Sequence, residues 1–279
     1  YRLKITTPDG DQYESDYETI RQGAPVDSIY YERDNMYVAS EDEELYFVQF
    51  YLDLKGSESD SRYYRWGLTE AWEYVSISYI DYIYVDEELN IEYPESPIEF
   101  YRCWNSRKVP GFYSSSTVNL TSNLKKKIPL HQVSTVTGRL SIKYSLLVEQ
   151  YSLNEGAYNY WNQAKTETEE AGGLYTQQPG QTQTNLFNVN DSKEEVLGYF
   201  WASSKTEKRI FTSRPRDLTI NPYCQLDSFL LEDHGEGSFP RYIVIKMDAD
   251  DDPIEFTSSP ECLNCTLLGG VNKKPNYWE

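Results

Sequence analysis

Apolar and polar residues alternate with a period of two through much of this chain, the pattern of strands that bury one face. In Tyr1–Thr6, Leu3 and Ile5 oppose Arg2 and Lys4. Pro8-Asp9-Gly10 then signals a turn, and Gln12–Ile20 reads as the second arm of a hairpin. Further strands are expected at Val26–Glu32 and at Leu45–Leu54, the latter dense in Tyr46, Phe47, Phe50 and Tyr51. Over Arg62–Val85, one face carries Tyr64, Trp66, Leu68, Trp72 and Tyr74, interrupted by Glu70, and the other carries Arg65, Thr69 and Glu73. That length implies a twisted strand or two strands joined at a bulge. The clearest alternation is Arg139–Gln150, with Leu140, Ile142, Tyr144, Leu146 and Val148 on one face and Ser141, Lys143, Ser145 and Glu149 on the other. Strands are also expected at Glu195–Ala202, Lys208–Ser213 and Tyr242–Met247.

One segment changes period. Ser152 and Glu155 form an S-x-x-E capping box, Tyr158, Trp161 and Ala164 follow at spacings of three, and Gly172-Gly173 is a stop. This predicts a helix over about 153–172. Loops are expected at Gly23-Ala24-Pro25, Ser57–Ser61, Glu87–Glu99, Ser114–Lys127 and Thr176–Asn185, and the tail Cys262–Glu279 has few periodic cues. No internal repeat is visible. Many short strands with one helix predict a mainly β fold, a β-sandwich-like domain with one inserted α-helix. A free hairpin is marginal in water. Residues 1–23 are therefore expected to close a domain whose earlier strands precede them, with 24–279 as the β-rich main domain.

Composition adjusts this picture. Hydrophobic residues are only 39%, yet aromatics reach 15% and Tyr alone numbers 26, so the core draws on side chains with a large apolar body and a polar tip. The net charge of −19 disfavours nucleic acid and anionic lipid surfaces as partners. No apolar run is long enough to cross a membrane as a helix, and no signal peptide is visible after Tyr1, so any membrane attachment is expected to lie outside this sequence or in a partner.

Chemistry is sparse. Cys103, Cys224, Cys262 and Cys265 allow three disulfide pairings. A zinc site would need soft ligands from His131, His234 and the other cysteines, in a spacing that matches no zinc module. Disulfides in an oxidising envelope compartment are the preferred reading, with Cys103–Cys224 and Cys262–Cys265 as the preferred pairs. Neither histidine has a local context for a metal pair or a Ser-His-Asp triad, and His131 is expected at a loop or strand edge. No nucleotide fingerprint or nucleophile elbow appears. Asp248, Asp250 and Asp252 begin like a calcium loop, but Pro253 stands where Gly belongs and Ser259 where Glu belongs, so a solvated turn is favoured. Core packing is the favoured role of Trp66, Trp72, Trp104 and Trp161 over a sugar-stacking platform. No cofactor and no catalytic residue is expected.

Several ordered motifs carry a resemblance. They include Pro25-Val26-Asp27-Ser28-Ile29-Tyr30-Tyr31, Tyr64-Arg65-Trp66, Cys103-Trp104, Leu140–Val148, Gln150-Tyr151-Ser152-Leu153, Gly198-Tyr199-Phe200, Cys262-Leu263-Asn264-Cys265 and Lys274–Trp278. Together they resemble the Bacteroidota lipoprotein family known as domain of unknown function 4249. The resemblance implies an N-terminal lipid anchor outside this chain and a preceding Ig-like β-sandwich, of which residues 1–23 would be the last hairpin. It also implies genes beside TonB-dependent outer-membrane receptors, and it brings no catalytic residues. In that setting Asp27-Ser28-Ile29 fits a pattern of O-glycosylation, with Ser28 as the acceptor. The leading expectation is a non-enzymatic, surface-exposed accessory lipoprotein that serves a TonB-dependent transporter in substrate capture or gating. The alternatives are a structural subunit of an outer-membrane complex with no ligand of its own, or a glycan or peptide hydrolase.

Overall fold

The computed structural model describes residues 1–38, 43–96, 98–170, 184–215, 224–229 and 239–279. The fold is mainly β, as the alternation predicts, with 44% strand and 10% helix. The chain starts with a hairpin, β1 (Lys4–Thr6) and β2 (Gln12–Ser15). Two long antiparallel strands follow, β3 (Ser28–Val38) and β4 (Glu43–Lys55), and then β5 (Tyr63–Val75). After the short β6 (Tyr82–Tyr84) and β7 (Ile91–Glu92) come β8 (Arg102–Lys108), β9 (Tyr113–Ser116) and β10 (Leu124–Ser134). β11 (Lys143–Leu153) runs directly into the helix α1 (Glu155–Glu170). The chain continues through β12 (Leu186–Asn188), β13 (Lys205–Ser213), β14 (Asp227–Ser228), β15 (Arg241–Met247) and β16 (Pro253–Thr257) to a single helical turn, α2 (Pro260–Leu263).

Two antiparallel sheets form the sandwich, one ordered β10-β4-β3 and the other β13-β11-β5-β8, with β9 also pairing on β5. Their inner faces meet in one core that includes Phe50, Leu52, Trp66, Leu68, Tyr144 and Leu146. β5 and β11 are in register with Leu68 opposite Val148, Glu70 opposite Leu146 and Trp72 opposite Tyr144. Glu70 therefore sits where the alternation placed it, within the apolar face of β5. It lies on that face, fully buried. The inner face of β11 also runs on into polar residues, since Gln150 and Ser152 are buried. Gln150 accepts the Trp66 indole N–H at 2.9 Å and donates to the Ala24 carbonyl at 2.7 Å, so its burial leaves no amide unpaired.

The expected span Arg62–Val85 divides between two sheets. At Ser76, whose N–H donates to Tyr101 and whose hydroxyl donates to the Phe100 carbonyl, the chain leaves the sandwich. β6 then joins a five-stranded sheet, β14-β16-β15-β6-β7, apolar on both faces. Ile83, Tyr242 and Val244 pack on one side, and Tyr82, Tyr84 and Ile243 on the other. The opening hairpin gains a third strand from within the chain, because β12 pairs along β2.

Three local expectations fail for physical reasons. Ser114–Lys127 is a loop only in its middle, Thr117–Asn123, because its two ends hold most of β9 and the start of β10. Its Ser and Lys residues carry no hydrophobic period, yet edge strands need only one apolar face. Glu195–Ala202 is not a strand. Its aromatics mimic one because they pack across other elements: the Tyr199 hydroxyl donates to Glu18 and Trp201 lies edge-on to Tyr151. The capping box is replaced by a different cap. Ser152 is still inside β11, and Asn154 accepts the Ala157 N–H at 2.7 Å. The expected helix stop at Gly172-Gly173 lies outside the described residues.

The tail is more ordered than its sequence suggests. Val271 bridges to Trp104, and Trp278 is buried against Ala71, Trp104 and Phe211. The Trp278 indole donates to Glu73 at 3.0 Å, and the other oxygen of Glu73 takes Arg102 at 2.9 Å. Two disulfides form, but not in the preferred pairing. Cys103 of β8 joins Cys265, and Cys224 joins Cys262. Cys262 and Cys265 are close in sequence, but they sit on successive turns separated by Asn264, which caps the second turn by accepting the Thr266 N–H. Each sulfur therefore faces a different neighbour. The links span 162 and 38 residues, and on a chain-entropy basis they are worth roughly 5 and roughly 4 kcal/mol. Peptide mapping under non-reducing conditions should recover Cys103–Cys265 and Cys224–Cys262, with a marked drop in melting temperature on reduction. A Cys262–Cys265 peptide would contradict this arrangement.

Candidate functional site

The sandwich holds one dense cluster of ionisable side chains, centred on Glu70. Arg139 donates to both carboxylate oxygens at 2.6 Å, and Arg107 to one of them at 2.6 Å. The Tyr144 hydroxyl donates at 2.8 Å, and His131 Nε2 lies at 3.3 Å. Burial alone would raise the Glu70 pKa. The hydrogen bonds from His131, Arg107 and Tyr144 and the charge of Arg139 more than reverse that, holding it at about 2. Burial and the neighbouring Glu70 charge push the Tyr144 phenol upward instead, so it stays a hydroxyl donor. A carboxyl this acidic is a poor general acid or base near neutral pH. The cluster is a clamp: Arg107 of β8 and Arg139 before β11 pair with Glu70 within one sheet, and His131 of β10 reaches the same carboxylate from the other sheet as a hydrogen-bond partner.

Beside this clamp is a cavity of about 440 Å³, within the size range of small-ligand pockets. Its floor is Trp66, Ile128 and Leu130, all buried, and its wall is the Gly111–Ser115 segment entering β9. Lys125 and Lys127 of β10 and Lys165 of α1 complete it. Among the described lining residues there is no carboxylate. Gly111 has φ +122° and stacks under the Tyr113 ring, so a side chain there would be strained.

β10 builds this wall by breaking its own regularity. In a regular strand Lys125 and Lys127 would face away from Ile128 and Leu130. Between Lys125 and Ile128, however, the register slips against Leu54 and Leu52, so that one extra residue enters β10. Lys127 takes the left-handed conformation, φ +53°, and its N–H donates to Asp53 at 2.8 Å. Lysines and apolar residues thus line the same space. Lys125 donates to the Ser115 hydroxyl at 2.6 Å, while Lys127 pairs with Glu32 at 2.7 Å and lies over the Tyr51 ring. Asn123 anchors the entry to β10: its amide donates to Ser57, Ser61 and Tyr64, and its oxygen accepts from Thr117.

The helix wall is fixed by aromatic contacts. The Arg65 guanidinium sits 4.0 Å over the Trp161 ring, and Phe112 and Trp201 pack on the same indole. Arg65 Nε and Trp161 Nε1 are buried with no hydrogen-bond partner among the described residues. Among the other tryptophans, Trp66 and Trp104 are core residues as expected, and Trp72 lies beneath the Arg107 and Arg139 guanidiniums.

The remaining sequence candidates lie apart from the cavity. Asp248 spends its carboxylate on its own turn, accepting the N–H groups of Asp250 and Asp252 at 2.9 Å each. No group of three metal-binding side chains occurs among the described residues. His131 lies on an edge strand as expected, but its ring faces Glu70, which the sequence did not reveal. His234 lies outside the described residues. Ser28 is the first residue of β3, half-buried, beside an exposed Asp27. The lysine wall was missed altogether. The available signal was Lys125-Lys126-Lys127, a basic run in a chain of net charge −19.

Residues 1–209 match the sequence profile of the domain of unknown function DUF4249. The chain belongs to this family. No curated protein and no solved structure gives a significant match. The DUF4249 span holds both Glu70 and the cavity, whereas Cys224, Cys262, Cys265 and the closing Lys274–Trp278 motif lie beyond it.

The bulge yields a direct test. Lys127→Gly and Lys127→Ala both remove the ion pair with Glu32, so the difference between them isolates the backbone. Glycine should be the more stable by about 1 kcal/mol in urea unfolding, because it adopts the left-handed conformation freely. Equal stabilities would mean that Lys127 is not held in that conformation.

Proposed function

We propose that this DUF4249 protein is a non-enzymatic accessory lipoprotein of the Bacteroidota outer membrane, lipid-anchored and exposed at the cell surface. In this reading it associates with an outer-membrane barrel such as a TonB-dependent receptor, and it captures substrate or gates entry for it. The observation that carries the capture role is the contrast between two sites. The Glu70 cluster has its charges committed to one another, whereas the neighbouring cavity has an apolar floor, aromatic walls and several polar groups at its rim. That combination suits binding and leaves little for turnover. Two disulfides support a compartment outside the reducing cytoplasm. Family membership supports the envelope setting through the resemblance described above.

Affinity capture of the native protein from solubilised membranes, read by mass spectrometry, tests the partner. A TonB-dependent barrel should be recovered in stoichiometric amount. Purification as a lone, water-soluble monomer from the same membranes would contradict the proposal.

A further inference from the structure

We infer that the cavity beside β10 binds a small organic anion with an aromatic body, recognised through its carboxylate or phosphate group. This rests on the capture reading and names the ligand class for that same site. The chain carries 45 acidic residues against 26 basic, yet three lysines line this cavity and no carboxylate lies among its described lining residues. The local inversion is constructed. The bulge and the left-handed Lys127 turn the lysine face of β10 toward the space floored by Ile128 and Leu130. Backbone strain of this kind persists only where the surroundings hold it.

The lysines have different standing. Lys127 already carries Glu32 at the rim, which spreads its charge outward. Among the described residues Lys125 donates only to a neutral hydroxyl, Ser115 Oγ, which is itself buried and lines the cavity. An incoming oxyanion can take the Lys125 ammonium in a charge-assisted bond, with the Ser115 hydroxyl as a further donor. Below it, Trp66 is buried and fixed by its bond to Gln150, and the apolar surface open to a ligand is that of the half-buried Phe112 and Tyr113 at the sides. The site therefore asks for negative charge at one end and a flat apolar body at the other. Outside the cavity the net charge of −19 repels anions, so discrimination is local.

The test titrates the purified protein with 3-phenylpropanoate, phenyl phosphate and the neutral 3-phenylpropanamide, using calorimetry and Trp fluorescence. At least one of the two anions should bind, and the amide should bind at least about tenfold more weakly, the loss expected for one charge-assisted hydrogen bond. Preference for the carboxylate over the phosphate, or the reverse, separates the two sources of charge. Lys125→Gln should weaken the anion by a similar factor and leave the amide unchanged. The wild-type comparison needs no variant, so it stands even if a substitution impairs folding. Equal binding of anion and amide, or no binding of either anion, overturns the inference. Equal binding would leave the capture reading in place, whereas failure to recover a barrel would overturn that reading without altering these isotherms.

Discussion

A carboxylate buried in an apolar sandwich is the constraint on which the rest of this structure turns. Taking Glu70 out of water costs several kcal/mol unless its charge is met and its oxygens are bonded. Arg139, Arg107, Tyr144 and His131 meet both demands. These partners come from strands of both sheets and from the segment before β11, so the carboxylate can be satisfied only when the strands reach their native register. A slip of one residue in β5 would turn Glu70 outward and strand the arginines. The cluster therefore adds specificity to a core whose large side chains, Trp66, Tyr64 and Tyr144, are bulky but not self-registering.

The position of β10 follows from this clamp. His131 holds one part of the strand against Glu70, and Asn123 holds its entry through four hydrogen bonds. Between these anchors β10 carries the first of its two register slips and its left-handed lysine. On the opposite wall, α1 is fixed by the Asn154 cap and by the stack of Arg65 on Trp161. The cavity is thus framed by elements that are each separately pinned, which is the condition for a preformed binding site. The two disulfides and the Trp278 tail secure more distant parts of the molecule.

The strands that alternate cleanly were legible from the sequence. The apolar face of β5 and of β11 follows from Tyr64, Trp66 and Leu68 and from Tyr144, Leu146 and Val148, and the helix follows from its stripe at Tyr158 and Trp161. What escaped was set by contacts between distant residues. β8 and β9 are edge segments whose Ser, Asn and Arg residues carry no period, and β10 hides its apolar positions behind a bulge. Glu70 looked like an interruption because alternation cannot report that Arg107 and Arg139 converge on it from 37 and 69 residues away. The disulfide pairing escaped for the same reason. Proximity in sequence favoured Cys262 with Cys265, while the fold sends the two sulfurs to different partners.

Equilibrium unfolding of the native protein and of Glu70→Gln as a function of pH tests the central claim most directly. The folded-state pKa of Glu70, about 2, lies below its ordinary value of 4.5. Its ionic contribution should therefore be complete above pH 4.5 and be lost as pH falls toward 2. At neutral pH the variant should be less stable by about 3 kcal/mol or more, because two arginines lose their counter-charge. In acid the two stability curves should converge. Curves that stay parallel across that window would contradict the account, since the ion pairs of Glu70 would then contribute nothing to the stability of the fold.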